Sequence, residues 1–175
     1  MVLHYNKKFN KDVKIKILNK KYLNFKYLSW LKDNNITYYT DQYKSYQSLK
    51  KIKLYYENIK KSKNDYLYGI FYKKKHVGNI KLGHINWRHK TGYISYFIGE
   101  KNLWGKGIGF SAIYLISELA KKKYNLHKLN AGLVSKNISS KKILIKNHFK
   151  KEGVYKSHIL IDGKRYDKLD FGKII

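Results

Sequence analysis

The segment that most constrains this chain is Asn102-Leu103-Trp104-Gly105-Lys106-Gly107-Ile108-Gly109-Phe110-Ser111-Ala112, where three alternating glycines join an apolar run to an amphipathic one. A strand that turns into a helix through such a loop presents backbone N–H groups to a phosphate. Gly107 and Gly109 lack the Cβ atoms that would hold a diphosphate away, and the helix beginning there adds the positive end of its dipole. Lys106 places a mobile cation beside it. A Walker A loop is excluded, because five residues separate Gly99 from Gly105 and Gly107 stands where the Mg²⁺-binding hydroxyl belongs. The dinucleotide fingerprint is excluded as well, since the spacing is G-x-G-x-G. A purely structural turn has the same composition, so the neighbouring segments must decide.

At 175 residues the chain has the length of one domain, 1–175, able to bury about 70% of its unfolded surface. It has no cysteine, which removes disulfides, thiolate zinc sites and a cysteine nucleophile. Its histidines show no metal-ligand spacing and no G-x-S-x-G occurs, so no metal is expected. No apolar run reaches signal-peptide or bilayer-spanning length, which makes cytoplasmic residence without a membrane partner the expectation. The net charge of +28 and the 18 tyrosines invite a nucleic-acid reading. Against it, the longest basic runs are three residues, Lys73 to Lys75 and Lys121 to Lys123, and lysines are spread along every segment. A solvated lysine surface is the plainer account, with nucleic acid an unfavoured partner. Anionic substrates would still be drawn in, less so at high salt.

Alternating residues predict a first strand at Val13 to Leu18, and dense apolar spacing predicts helices at Tyr22 to Leu31 and Ser45 to Ile59. Tyr66 to Lys73, His76 to Ile85 and Tyr93 to Ile98 read as an antiparallel meander. In the helix after the glycine loop, Ala112, Leu115, Ile116, Leu119 and Ala120 share one face. A strand at Leu129 to Val134 and a short helix at Ser139 to Asn147 follow. Phe149 to Ile161 and Lys164 to Phe171 close the chain as a hairpin around Asp162-Gly163, a type I′ turn. This order is a mixed α/β (α+β) sheet with the phosphate loop at its middle.

That order, with the glycine loop after the fourth strand, resembles the GNAT superfamily of N-acetyltransferases, and within it the branch of ribosomal-protein N-terminal, spermidine and amino-sugar acetyltransferases. Gly107-Ile108-Gly109 fills the second half of the family loop [QR]-x-x-G-x-[GA], with Trp104 at the Gln/Arg position. Asn137-Ile138-Ser139-Ser140 followed by Lys146-Asn147-His148-Phe149 resembles N-x-x-S…K-x-G-F, with His148 replacing the usual glycine. Trp30-Leu31-Lys32-Asp33 and His76-Val77-Gly78-Asn79-Ile80 resemble further segments of the branch. The resemblance implies a mainly antiparallel sheet of about seven strands flanked by helices, splayed between strands 4 and 5. It also implies acetyl-CoA as cosubstrate, direct acetyl transfer to a primary amine, and room for a homodimer.

The resemblance further implies site residues. Pantetheine would lie in the splay against backbone groups of Phe97, Ile98 and Gly99, one N–H polarising the thioester carbonyl, although an ordinary core strand has the same side chains. Trp104, Gly105, Lys106, Gly107, Ile108, Gly109 and Phe110 would cradle the diphosphate. Asn137 would anchor pantetheine, with Asn137 or Ser139 otherwise capping a helix, and Lys146 would approach the coenzyme or remain a surface lysine. The tyrosine many relatives use as acid is replaced by Leu144, so Ser140 becomes the candidate acid. His84, and secondarily Glu100, are the candidate bases for the amine. Both also fit ordinary surface roles.

With 11 acidic residues against 39 basic ones, a free polyamine is a poor acceptor. A protein N-terminus and a nucleotide-linked amino sugar suit a basic surface better, the sugar or base stacking on Tyr93, Tyr96, Trp87 or Trp30. The alternative is a basic, tyrosine-rich nucleic-acid-binding module without catalytic activity.

Overall fold

The computed structural model describes residues 9–175. Seven strands form one sheet: β1 (Val13–Ile17), β2 (Tyr66–Tyr72), β3 (Lys75–Asn86), β4 (Thr91–Ile98), β5 (Lys128–Val134), β6 (Lys150–Ile161) and β7 (Lys164–Ile174). Their spatial order is β1-β2-β3-β4-β5-β7-β6. Every neighbouring pair is antiparallel except β4 and β5, which run parallel. The expected meander and closing hairpin are present, and Asp162 and Gly163 both take the positive φ of a type I′ turn, 48° and 76°.

The helices are α1 (Phe25–Lys32), α2 (Asn34–Thr37), α3 (Leu49–Lys61), α4 (Ile108–Tyr124) and α5 (Ile138–Lys146). α1 and α3 start later than apolar spacing predicted, because their caps decide the start. Asn24 Oδ1 accepts the Tyr27 N–H, and Ser48 Oγ accepts the Lys51 N–H. Tyr22, expected to open the first helix, instead ends a separate 3₁₀ turn, Lys20–Tyr22. α2 went unpredicted: Asp33 ends α1, and its carboxylate accepts the Asn35 N–H to begin the next turn.

The sheet separates two apolar layers. On one face α4 packs Ile108, Ile113 and Ile116 against Ile80, Leu82, Ile94 and Leu129. On the other, α1 and α3 bury Tyr27, Leu28, Trp30 and Ile52 over Leu67. The face of α4 toward the core is rotated from the predicted one: Ile113 is fully buried, whereas Leu115 and Leu119 are half-buried toward β1.

Candidate active site

The parallel pairing of β4 with β5 is confined to Thr91–Tyr93 against Lys128–Asn130. Beyond it β4 continues along β3 and β5 along β7, so a gap opens between them. Ladder alternation determines which backbone groups face it. The Gly99 N–H bonds the Val77 carbonyl at 2.8 Å, so Phe97 and Ser95 in the same register also turn toward β3. Ile94, Tyr96 and Ile98 therefore present their N–H and C=O groups to the gap. Across it, the Ser135 N–H bonds the Asp167 carbonyl at 2.9 Å, which by the same rule turns Gly132 and Val134 inward. The expected trio is corrected accordingly: the ladder groups of Phe97 and the Gly99 N–H are committed to β3, and Tyr96 joins Ile98 on the open edge.

The glycine turn follows at the wide end. Gly105 and Gly107 have φ of 78° and 76°, left-handed conformations that strain any other residue. Gly107 caps α4 without a side chain, and its carbonyl accepts the Ser111 N–H. By helix geometry the N–H groups of Ile108, Gly109 and Phe110 are left without intrahelical partners at the positive end of a helix of 17 residues. Lys106 is exposed beside them. Asn10 supports the turn, its N–H on Ser111 Oγ at 2.9 Å and its side-chain amide on the Lys106 carbonyl at 3.4 Å. Trp104 donates its indole Nε1–H to the Ile98 carbonyl at 2.9 Å, capping one gap-facing acceptor.

α5 follows β5 on the far wall. Asn137 Oδ1 accepts the Ser140 N–H at 3.1 Å, the capping role anticipated for it. Ser140 Oγ lies 2.9 Å from the Tyr96 hydroxyl, so a side chain of β4 crosses to α5. The Tyr96 ring runs beneath the first turn of α4: a Cβ on Gly109 would stand 3.2 Å from it and 3.3 Å from Ile143. At the other end of α5, the buried Asn147 amide donates to the Phe110 carbonyl at 3.2 Å and ties α5 to the phosphate turn. Lys146, the last residue of α5, immediately precedes that asparagine and is exposed. Leu144 is buried in the core.

The two candidate bases lie apart. His84 is exposed in the bulge of β3, with its N–H on Asp65 at 3.2 Å and its ring 6.2 Å from Tyr93, at the closed end of the gap. Glu100 follows β4 at the wide end and is ion-paired with Lys26 at 2.8 Å. Seven residues along an extended chain separate Tyr93 from Glu100, about 20 Å, so the two cannot serve one reacting atom. The aromatic residues expected to stack on an acceptor do not form one site. Trp30 is buried in the core, Tyr96 is engaged with Ser140, and Trp87 and Tyr93 are exposed toward the closed end. Among the described residues no cluster of His, Asp or Glu is placed to hold a metal ion.

Opposite α4, the segment around α2 crosses the gap. It is held near β4 by Asp33–Lys101 at 2.6 Å, and at the β6–β7 hairpin by the Tyr43 hydroxyl, which donates to Asp162 at 2.9 Å. Sequence reasoning missed this roof, because its anchors join segments distant in sequence, 119 residues apart for Tyr43 and Asp162. Beside it an open pocket of about 480 Å³ is lined by Leu31, Lys32, Asn34, Gln42 and Lys44.

A parallel strand pair that separates ahead of a glycine turn and a helix N-terminus defines an acetyltransferase fold. The chain belongs to the family of the acetyltransferase (GNAT) domain, whose pattern matches residues 15–169. It is 32% identical over 117 residues to the probable N-acetyltransferase YjcK of Bacillus subtilis (strain 168), covering 65% of this chain and 64% of that protein. It is 34% identical over 76 residues to the [ribosomal protein uS5]-alanine N-acetyltransferase of Escherichia coli (strain K12), covering 43% of this chain and 38% of that one. The matches thus span less than two thirds of these relatives' lengths. The fold is shared with spermidine N-acetyltransferase from Vibrio cholerae in complex with CoA and spermine, at a TM-score of 0.85 and 19% identity over 94% of this chain and 96% of that one.

Proposed function

We propose that this chain transfers acetyl from acetyl-CoA to a primary amine. The observation that carries the reading is the gap between β4 and β5, whose free backbone edge ends at the N-terminus of α4. The residues fit the cosubstrate: the N–H groups of Tyr96 and Ile98 and the Tyr96 carbonyl, with the Ile98 carbonyl held by Trp104, can pair with a pantetheine arm, and the first-turn N–H groups with Lys106 can meet a diphosphate. Acetyl-CoA supplies the activated thioester. In the transfer a nitrogen–carbon bond forms, the carbon–sulfur bond breaks with both electrons leaving on sulfur, the nitrogen loses a proton and the sulfur takes one. A gap-facing N–H polarises the carbonyl, and Ser140 donates the proton to sulfur. His84, at the closed end, takes the proton of the amine directly or through water.

The acceptor we favour is a protein N-terminus. Nine of the 11 carboxylates form lysine ion pairs, which leaves little acidic surface for a polyamine. The open pocket beside α2, which carries Lys32 and the Asp162-paired Lys44, has room for an extended chain, and the Escherichia coli relative acts on a ribosomal protein. A nucleotide-linked amino sugar is the second reading, supported by the packed rings of Tyr38, Tyr39 and Tyr43 at the roof.

Thermal-shift titration with acetyl-CoA, using ATP and a short oligonucleotide as polyanion controls, tests the reading. Acetyl-CoA at about 100 times its Kd should add about 2.7 kcal/mol, or roughly 5 to 10 °C for this size. Equal rises with all three anions would return the glycine turn to a general basic surface and favour a nucleic-acid-binding module. Thiol release with an acidic N-terminal peptide, a nucleotide amino sugar and spermidine then ranks the acceptors.

A further inference from the structure

The contact between Tyr96 and Ser140 is a side-chain bridge across the gap that the proposed transfer leaves without a role. We infer that Tyr96 is a positioning residue that orients the Ser140 hydroxyl toward the sulfur of bound coenzyme A. This rests on the acetyltransferase reading above and deepens it.

Three observations carry it. Tyr96 lies on the strand whose free backbone edge lines the gap, while Ser140 lies in the first turn of the helix on the opposite wall. Their hydroxyls are 2.9 Å apart. Each partner is also fixed independently of the other: the Tyr96 ring lies against Gly109 of α4, and the Asn137 cap holds the Ser140 backbone. A phenol is the stronger donor and an aliphatic alcohol the better acceptor, so the bond runs from the Tyr96 O–H to Ser140 Oγ. The hydrogen of Ser140 is then free to turn away from Tyr96 and into the gap. Burial pushes the Tyr96 hydroxyl up to about 12, so it remains a neutral donor through the working pH range. Tyr96 therefore does not give up its proton. Ser140 delivers one to the sulfur and regains one from water.

The arrangement also accounts for Leu144. The family position that carries a tyrosine in many relatives is here an apolar residue of the core. A phenol from β4 instead reaches the neighbouring turn of α5, where it supports a serine donor.

The test uses coenzyme A in its free thiol form, bound to the full chain, and follows ionisation of the thiol by the ultraviolet absorbance of the thiolate. A hydroxyl donating to sulfur stabilises the thiolate, so the bound thiol should titrate below free coenzyme A. Ser140→Ala should raise that midpoint by about one unit, the scale of one hydrogen bond to a charged group. Tyr96→Phe, which keeps the ring packed under Gly109, should raise it comparably while affinity changes less than about threefold. The double variant Tyr96→Phe/Ser140→Ala, in which neither hydroxyl is stranded, should match Ser140→Ala alone, because Tyr96 acts only through Ser140. A wild-type midpoint in Tyr96→Phe overturns the inference, as does an additive double variant. Absence of coenzyme A binding in the unaltered chain overturns the acetyltransferase reading and the inference with it.

Discussion

Gly99 lies directly against the Trp30 indole, and a Cβ added at that glycine would overlap the ring. Trp30 cannot yield, because it is 5% exposed and packed among Tyr27, His76 and Phe97. Gly99→Ala should therefore cost about 2 kcal/mol by overpacking, a fall in Tm of roughly 4 to 8 °C. Because the Gly99 N–H is bonded to Val77, affinity for acetyl-CoA below that Tm should change less than about threefold. Denaturant unfolding and calorimetric binding separate the two effects, and a large loss of affinity at unchanged stability would return Gly99 to the binding edge.

The glycine turn predicts the opposite pattern at Gly107. A β-branched side chain at φ of 76° is strained and stands before the first-turn N–H groups of α4. Gly107→Val should lose the stabilisation by acetyl-CoA altogether, whatever its own Tm. In the unaltered chain, the excess of lysines over carboxylates should make association fall about tenfold or more from low to high salt. Thermal shift and stopped-flow association measure these.

His148 stands just past the end of α5 with φ of 66°. Its N–H bonds the Ile145 carbonyl and the Phe149 N–H bonds the Leu144 carbonyl, the paired bonds of a Schellman ending. The family glycine at this place meets that left-handed requirement without strain. His148→Gly should accordingly stabilise the chain by about 0.5 to 1 kcal/mol, with Tm rising a few degrees. The acetyl-CoA shift should be unchanged, because the Asn147 bond to Phe110 is retained.

What was legible in the sequence is what local chemistry determines. The strands alternate, Asp162-Gly163 dictates its turn, and Gly105 and Gly107 announce a left-handed loop before a helix. The cap at Asn137 was readable for the same reason, since its partner is three residues away. Backbone parity was not readable. Whether Phe97 or Ile98 faces the gap depends on how β4 registers with β3, a relation between distant segments that side-chain pattern does not encode. The Tyr96–Ser140 bridge, the Asn147–Phe110 tie and the Tyr43–Asp162 anchor are likewise long-range. Tyr96 was singled out only as an aromatic surface. Leu144 in place of a tyrosine pointed to Ser140, and nothing in the sequence pointed to its partner Tyr96.

His76 is buried on β3 against the rings of Tyr22, Trp30 and Phe71, with Nε2 2.9 Å from Asn79 Oδ1. Burial holds its pKa below the ordinary histidine value, outweighing the hydrogen bond to Asn79, which acts the other way. In the unfolded chain the imidazole titrates near its usual value of about 6.5. Between the depressed folded pKa and that value the unfolded state binds more protons, so stability rises with pH across the window. The contribution is present above about 6.5 and is lost as the pH falls toward the folded pKa. Denaturant midpoints measured from pH 8 down to 5 should therefore decline through the histidine range, before the carboxylates titrate. His76→Gln keeps a hydrogen-bonding group toward Asn79 without a titrating ring and should flatten that decline. An unchanged slope in the variant would assign the pH dependence to another group.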